Sequence, residues 1–297
     1  MEAKIIFIFI LSLVSIVFSA NPFKYFQGCQ CGIENISKRI INGSPVQASR
    51  YPWFVPIGNW THLQCGGSLI SDKHVLTAAR CLHPLNVKRK SLRVILGGQT
   101  RYDFKKDYVR YPSQDIQSIK LHKGFRPGVL GNDIAIIELQ NKIDFKKSTL
   151  RPVCLPNFDE TDNLFAYGFG KQNKRMGSYS FDLSEGERMH EVQLDRISDE
   201  KCKRFFPPGT FDETLTMCTL NEGTKNGICN GDEGDPLSSR KDGRVYQVGI
   251  ATRVHSTCLM NNEVFPTGFE KIGVHLPWIR ENTVSGTFCK GPHHPFF

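Results

Sequence analysis

The chain is predicted to be all-β, and three observations predict it. Short β-type runs recur from residue 40 to about residue 280, among them Gly67-Ser68-Leu69-Ile70, Val75-Leu76-Thr77, Leu92-Arg93-Val94-Ile95-Leu96, Ile134-Ala135-Ile136-Ile137 and Tyr246-Gln247-Val248-Gly249-Ile250. Gly, Pro and Asn fall between them, which is the punctuation of a barrel or sandwich. The length of 297 residues would suggest about two domains, but all-β folds often run to about 250 residues as one unit.

The elements follow in chain order. Residues 5–18 are almost wholly apolar, with Lys4 before them and Ser19-Ala20 after. That is the layout of a signal peptide cleaved after Ser19 or Ala20. A membrane anchor needs ~20 apolar residues, and no later stretch is long and apolar enough to span a bilayer. The expected location is therefore secreted and extracellular. Ten cysteines in an exported chain read as disulfides. Their spacing does not assign the pairing. Cys29-Gln30-Cys31 lacks nearby histidines, so no metal is expected there, and no cofactor elsewhere. Ser198-Asp199-Glu200 reads as an N-cap followed by acids that suit a helix N-terminus.

Three segments carry chemistry. Residues 228–237 read Ile228-Cys229-Asn230-Gly231-Asp232-Glu233-Gly234-Asp235-Pro236-Leu237, and residues 75–81 read Val75-Leu76-Thr77-Ala78-Ala79-Arg80-Cys81. Residues 131–139 read Gly131-Asn132-Asp133-Ile134-Ala135-Ile136-Ile137-Glu138-Leu139. On these motifs the chain resembles the trypsin-like (chymotrypsin-fold, peptidase S1) serine proteases, whose corresponding signatures are Gly-Asp-Ser-Gly-Gly-Pro and Leu-Thr-Ala-Ala-His-Cys. The resemblance implies two six-stranded antiparallel β-barrels with a catalytic triad in the cleft between them. It also implies a closing C-terminal helix around Val274-His275-Leu276-Pro277-Trp278-Ile279.

On that resemblance Asp133 keeps the triad aspartate, Arg80 stands in place of the general base, and Glu233 stands in place of the nucleophile. Asp235 replaces the second glycine of the following pair. A serine attacks because a base takes its proton and backbone donors hold the oxyanion. A guanidinium stays protonated and accepts no proton. An ionised Glu is a poor nucleophile towards an amide and repels the oxyanion that the donors at Gly231 and Glu233 would hold. The implied reading is a pseudoprotease. Arg80 is expected either to bridge Asp133 and Glu233 as a fixed ion network or to turn outward into solvent. As a bridge it would keep both carboxyls ionised.

The resemblance divides the chain into a signal peptide (1–20), a pro-segment (21–39), a peptidase S1-like domain (40–282) and a C-terminal tail (283–297), whose last residues, 291–297, read as loose beyond Cys289. It places an activation cut after Arg39, with Ile40 free to pair with Asp232. It implies Cys65–Cys81, Cys202–Cys218 and Cys229–Cys258, and ties Cys154 to Cys29 or Cys31, the remaining one joining Cys289. The substrate pocket is implied at Gly227, Thr252, Arg253, Val254 and Thr267. Val254 and Thr267 narrow it, and Arg253 replaces an aromatic platform.

Charge suggests a partner. The net formal charge is +9. Residues 86–126 hold eleven cations (Lys88, Arg89, Lys90, Arg93, Arg101, Lys105, Lys106, Arg110, Lys120, Lys123 and Arg126) against three anions, Asp103, Asp107 and Asp115. Such a field draws acidic proteins, sulfated glycans, bacterial surfaces or anionic lipid, or else is a solvated face. A protease or protease inhibitor is the other expected partner. Nucleic acid is not expected for an exported chain without a stacking motif. Asn35, Asn42 and Asn59 are glycosylation sequons. The readings are a secreted homologue acting by binding, residual hydrolysis by a non-serine route, or a vestigial product without a dedicated partner.

Overall fold

The structure, a computed structural model, describes residues 24–35, 48–58, 63–83, 92–97, 115–158, 162–170, 189–221, 227–229, 231–254, 259–260 and 263–293. Strand β1 is Lys24–Gln30. The first barrel half holds β2 (Ile57–Gly58), β3 (Leu63–Cys65), β4 (Ser68–Leu69), β5 (His74–Thr77), β6 (Arg93–Val94), β7 (Ile116–Leu121) and β8 (Ala135–Leu139). These pair as a three-stranded sheet, β3-β2-β6, and a four-stranded sheet, β4-β5-β8-β7. β3 and β4 are one run broken at Gly66-Gly67, and a Phe54–Ser68 bridge joins the two sheets. Six strand runs result, as expected, but in two pieces. The central strands β5 and β8 bury every residue. Their β-branched and aliphatic side chains suit a fully covered sheet.

The second half holds β9 (Leu164–Gly168), β10 (His190–Leu194), β11 (Thr216–Thr219), β12 (Pro236–Lys241), β13 (Arg244–Arg253) and, after a short hairpin of β14 (Leu259–Met260) and β15 (Glu263–Val264), β16 (Thr267–Lys271). The order is β10-β9-β12-β13-β16-β11, and an antiparallel Arg196–Thr219 bridge brings the two edges together. Curling the sheet onto itself removes exposed edges. Trp53, fully buried, donates its indole N–H to Tyr167 Oη at 2.5 Å, and Tyr51 stacks on Tyr167 with centroids 3.7 Å apart. Aromatics from the first half thus pack on β9 of the second. Burying each such ring contributes roughly 1.5–3 kcal/mol.

Among the described residues three α-helices complete the body: α1 (Ala79–Leu82), α2 (Asp199–Lys203) and α3 (Ile272–Asn282). The expected cap at Ser198 is present, its hydroxyl accepting Lys201 N–H at 3.3 Å. In α3 the buried residues Ile272, His275 and Ile279 fall on one face, and Trp278 packs against the core beside them. Pro277 sits inside this helix, where it supplies no N–H to the ladder.

The tail is described as far as His293, and residues 294–297 lie outside the described residues. Residues Thr287–Lys290 form β17, which pairs in parallel with β1. His293 bonds Asp242 Oδ2 at 2.6 Å and meets the ring of Phe158 edge-on. Cys29–Cys289 locks the strand pair and Cys31–Cys154 fastens it to the body, which settles the pairing that spacing leaves open. Cys65–Cys81 and Cys202–Cys218 form as expected. Cys229 is disulfide-bonded, and its expected partner Cys258 lies outside the described residues. The two chain ends thus form one strap. Closing so long a loop constrains the unfolded chain by about 5 kcal/mol in the entropic account.

Candidate functional site

The cleft is built from α1, the turn before β8, and the loop 229–235. Cys65–Cys81 fixes α1 to β3, so Arg80 faces inward rather than into solvent. Its backbone N–H donates to Asp133 Oδ1 at 2.8 Å, and its Nε pairs with Asp133 Oδ2. Asp133 is fully buried, while the Arg80 side chain keeps 22% exposure. Glu270 on β16 holds this turn in place. Its Oε1 accepts Asn132 N–H at 2.7 Å and its Oε2 accepts Asp133 N–H at 3.1 Å, while His275 Nε2 bonds the same Oε1. Asn132 has φ 59°, a left-handed conformation that asparagine tolerates, and the carboxylate satisfies the exposed donors beyond it. Glu270 is a positioning residue that the sequence does not reveal, since an acid next to Lys271 in a mixed strand carries no periodic signal.

The loop around Glu233 is held from both barrels. Gly66 N–H donates to Glu233 O at 2.8 Å, and Gly234 N–H donates to Ala251 O at 2.7 Å. Gly234 has φ 83°, and a Cβ there would lie 2.3 Å from Gly66 O, so only glycine fits. The carboxylate of Glu233 folds back onto its own loop, accepting Gly231 N–H at 2.8 Å and bonding its own backbone amide. Those are the two amides expected to hold an oxyanion. Arg80 attracts Glu233 electrostatically, but backbone amides supply the hydrogen bonds described at this carboxylate. Asp232 accepts Gly170 N–H at 2.6 Å and Cys229 N–H at 2.9 Å. Arg39 and Ile40 lie outside the described residues.

Burial pushes the carboxyls of Asp133 and Glu233 above their ordinary values, against the pull of Arg80. Desolvation is the larger effect at both, and Arg80 opposes it.

Residues 40–279 match the trypsin family. The chain belongs to that family. Among its relatives, the venom serine protease Bi-VSP of Bombus ignitus is 29% identical over 79% of this chain and 67% of its own length. The proclotting enzyme of Tachypleus tridentatus is 28% identical over 86% of this chain and 69% of its own. Complement factor I of Rattus norvegicus is 25% identical over 84% of this chain and 40% of its own.

The trypsin-family pocket residues gather partly. Thr252 is buried and donates to Gly268 O at 3.1 Å, Arg253 is exposed beside Gly268, and Val254 packs on the second-barrel core. Thr267 is buried and pairs with Thr219, while Gly227 is exposed. Of the basic segment, Arg93, Lys120, Lys123 and Arg126 are described; Lys120 donates to Asn282 O and Arg126 to the carbonyls of Lys123 and Phe125. Lys88, Arg89, Lys90, Arg101, Lys105, Lys106 and Arg110 lie outside the described residues, as do Asn42 and Asn59. Asn35 is exposed and donates its amide to Ser49 O at 2.9 Å. No helix among the described residues is long and apolar enough to cross a membrane.

Proposed function

We propose that this trypsin-family chain is a secreted, catalytically inactive homologue that acts by binding. The observation that carries the reading is the ion pair of Arg80 with buried Asp133, at the place where the family's general base meets its aspartate. No proton leaves a nucleophile for a guanidinium. Glu233 adds to this, because its carboxylate sits on the Gly231 amide where a substrate oxyanion would need to bind. The relatives carry protease names, so inactivity rests on this chain's own residues. The ligand class is an acidic protein, sulfated glycan or other anionic surface met by the basic segment 86–126; a protease or inhibitor docking at the cleft is the other partner class.

Residual hydrolysis is the second reading, and the upward shift at Glu233 favours it, since a protonated carboxyl is a better general acid. Against it stands the same carboxyl's engagement with its own loop amides, which leaves no oxyanion site for a substrate. The test is protein cut after Arg39, assayed on peptide substrates alongside an active-site phosphonate probe. No turnover and no labelling are expected. Multiple turnovers abolished by Glu233→Ala would overturn the reading. Elution from heparin no later than net charge predicts would remove the specialised anion site.

A further inference from the structure

Asp235 is a carboxyl in the cleft loop that the proposed function leaves unused. It is 2% exposed, and no N–H or O–H of the described protein donates to either of its oxygens. Its Oδ1 lies where a side chain on Gly66 would project, 1.6 Å from the ideal Cβ position, and its Oδ2 fills the same role over Gly168 at 1.8 Å. The carboxyl is therefore clamped between two backbones and has no room to rotate towards water. The same Gly168 position lies 2.6 Å from Asp232 Oδ1, so the two carboxyls share one narrow space, and they are within hydrogen-bond range of each other. Two ionised carboxylates in that space would repel each other. A hydrogen bond between them requires a proton.

Which residue holds the proton follows from the donors. Asp232 accepts two backbone N–H groups, a setting that satisfies a carboxylate. Asp235 has no donor at all, a setting that suits a neutral acid. We infer that Asp235 is a neutral acid donating its proton to the Asp232 carboxylate, and that this shared proton is a pH-sensitive latch on the loop carrying Glu233. The surrounding groups reinforce it. Burial raises the Asp235 carboxyl well above its ordinary value, and Asp232 and then Glu233 act in the same direction. From β9, Tyr167 faces the acid as a neutral phenol whose own proton is held by burial. From α1, Arg80 acts on Glu233. Gly66 and Ala251, the contacts from β3 and β13, bring no charge.

The sign is fixed by linkage. The folded protein binds a proton that the unfolded chain releases near its ordinary value, ~3.9. The stabilisation is fully present below that value and is lost as pH rises through the folded value. Ionisation places a second charge against Asp232 in a dry site, and the loop 231–235 should lose protection first.

The test reads 13C-labelled aspartate carboxyls by NMR in the full-length protein, together with melting temperature, from about pH 4 to about pH 9. One aspartyl carboxyl should remain protonated at about pH 5.5, where ordinary ones are ionised. The signal should vanish in Asp235→Asn, whose amide donates to Asp232 without titrating, and in Asp235→Gly, which restores the residue of the family motif. Wild type should lose about 4 °C or more relative to Asp235→Asn across the range, and its loop amides should exchange faster at the alkaline end. An absence of any protonated aspartyl carboxyl in wild type at about pH 5.5 overturns the inference whatever the variants do. So does a signal that survives in folded Asp235→Asn, or two melting curves that stay parallel across pH.

Discussion

In the His74 cluster beside the strap, each polar group meets a partner of the opposite kind; in the cleft loop, acids are crowded against acids. The strap-side cluster centres on His74, which is fully buried. Ser71 Oγ accepts the N–H groups of Lys73 and His74, leaving its own proton to donate to His74 Nδ1 at 2.8 Å. With Nδ1 accepting from Ser71, the tautomer that completes the relay carries its proton on Nε2, which meets Ser285 Oγ at 3.2 Å, and Ser285 donates to Glu138 Oε1 at 2.7 Å. Ser118 and Lys73 complete the shell of Glu138. Donors alternate with acceptors along the whole chain. In the cleft, Asp232, Glu233 and Asp235 fall within four residues, and one of them meets no donor. Polar satisfaction is the ordinary state of a folded interior, so a buried carboxyl with neither oxygen satisfied marks the loop as one place where the sequence has departed from what the fold favours.

The largest test falls on the one matched pair in the cleft. Arg80→Ala leaves the carboxyl of Asp133 buried without its counter-ion, a change that typically costs ~3–5 kcal/mol. Arg126→Ala, an exposed change, should cost within about 0.5 kcal/mol. Denaturant titration of the two variants checks the contrast. Equal midpoints would show that Arg80 contributes nothing beyond a surface arginine.

Next in size is the pH dependence, where the two regions should run in opposite directions. Burial lowers His74 to about 4, so the folded protein refuses a proton that the unfolded chain takes up near 6.5. Its contribution is lost as pH falls from about 6.5 to about 4, roughly 3 kcal/mol in all. Glu138 adds to the same limb: burial raises it, but hydrogen bonds from Ser285, Ser118 and Lys73 prevail and set it at about 2. Its stabilisation is present above its unfolded value of 4.5 and disappears as pH falls through about 2. Asp235 carries the opposite limb, losing stability as pH rises. Melting temperature should therefore pass through a maximum, with His74→Asn flattening the acid side alone and Asp235→Asn the alkaline side alone. A His74 variant that flattened both would mean the clusters are coupled rather than separate.

What the sequence carries of this picture is local. Three motifs keep their frames at 75–81, 131–139 and 228–237, so the cleft residues Arg80, Asp133 and Glu233 are readable within short windows. The cap at Ser198 is readable for the same reason. The strap is not, because β1 pairs with β17 across nearly the full chain, and parallel pairing leaves no turn signature between the partners. Cys29 and Cys31 are chemically equivalent in sequence; only the path of the strap decides which reaches Cys289. Asp235 is visible as a substitution, but its consequence depends on Gly66 and Gly168, two glycines from different barrels that bring backbone onto its oxygens. Glu270 is hidden likewise, since the backbone amides it holds belong to a turn 137 residues away.

The smallest predicted effects sharpen the comparison most, because they pair one side chain from each region. Ser285→Ala removes the hydroxyl that relays His74 to Glu138, leaving both partners short of a bond in a dry site, a loss of about 1–2 kcal/mol. Glu233→Ala removes a carboxylate that also bonds backbone, yet its loop is half-open and Gly231 N–H can turn to water. The same change removes an acid repelled by Asp232. Gain and loss oppose, so the net change should be within about 0.5 kcal/mol. Paired urea titrations at one pH decide the point. If Glu233→Ala is the more damaging of the two, its carboxylate stabilises the loop after all, and crowding of acids is not what distinguishes the cleft from the strap.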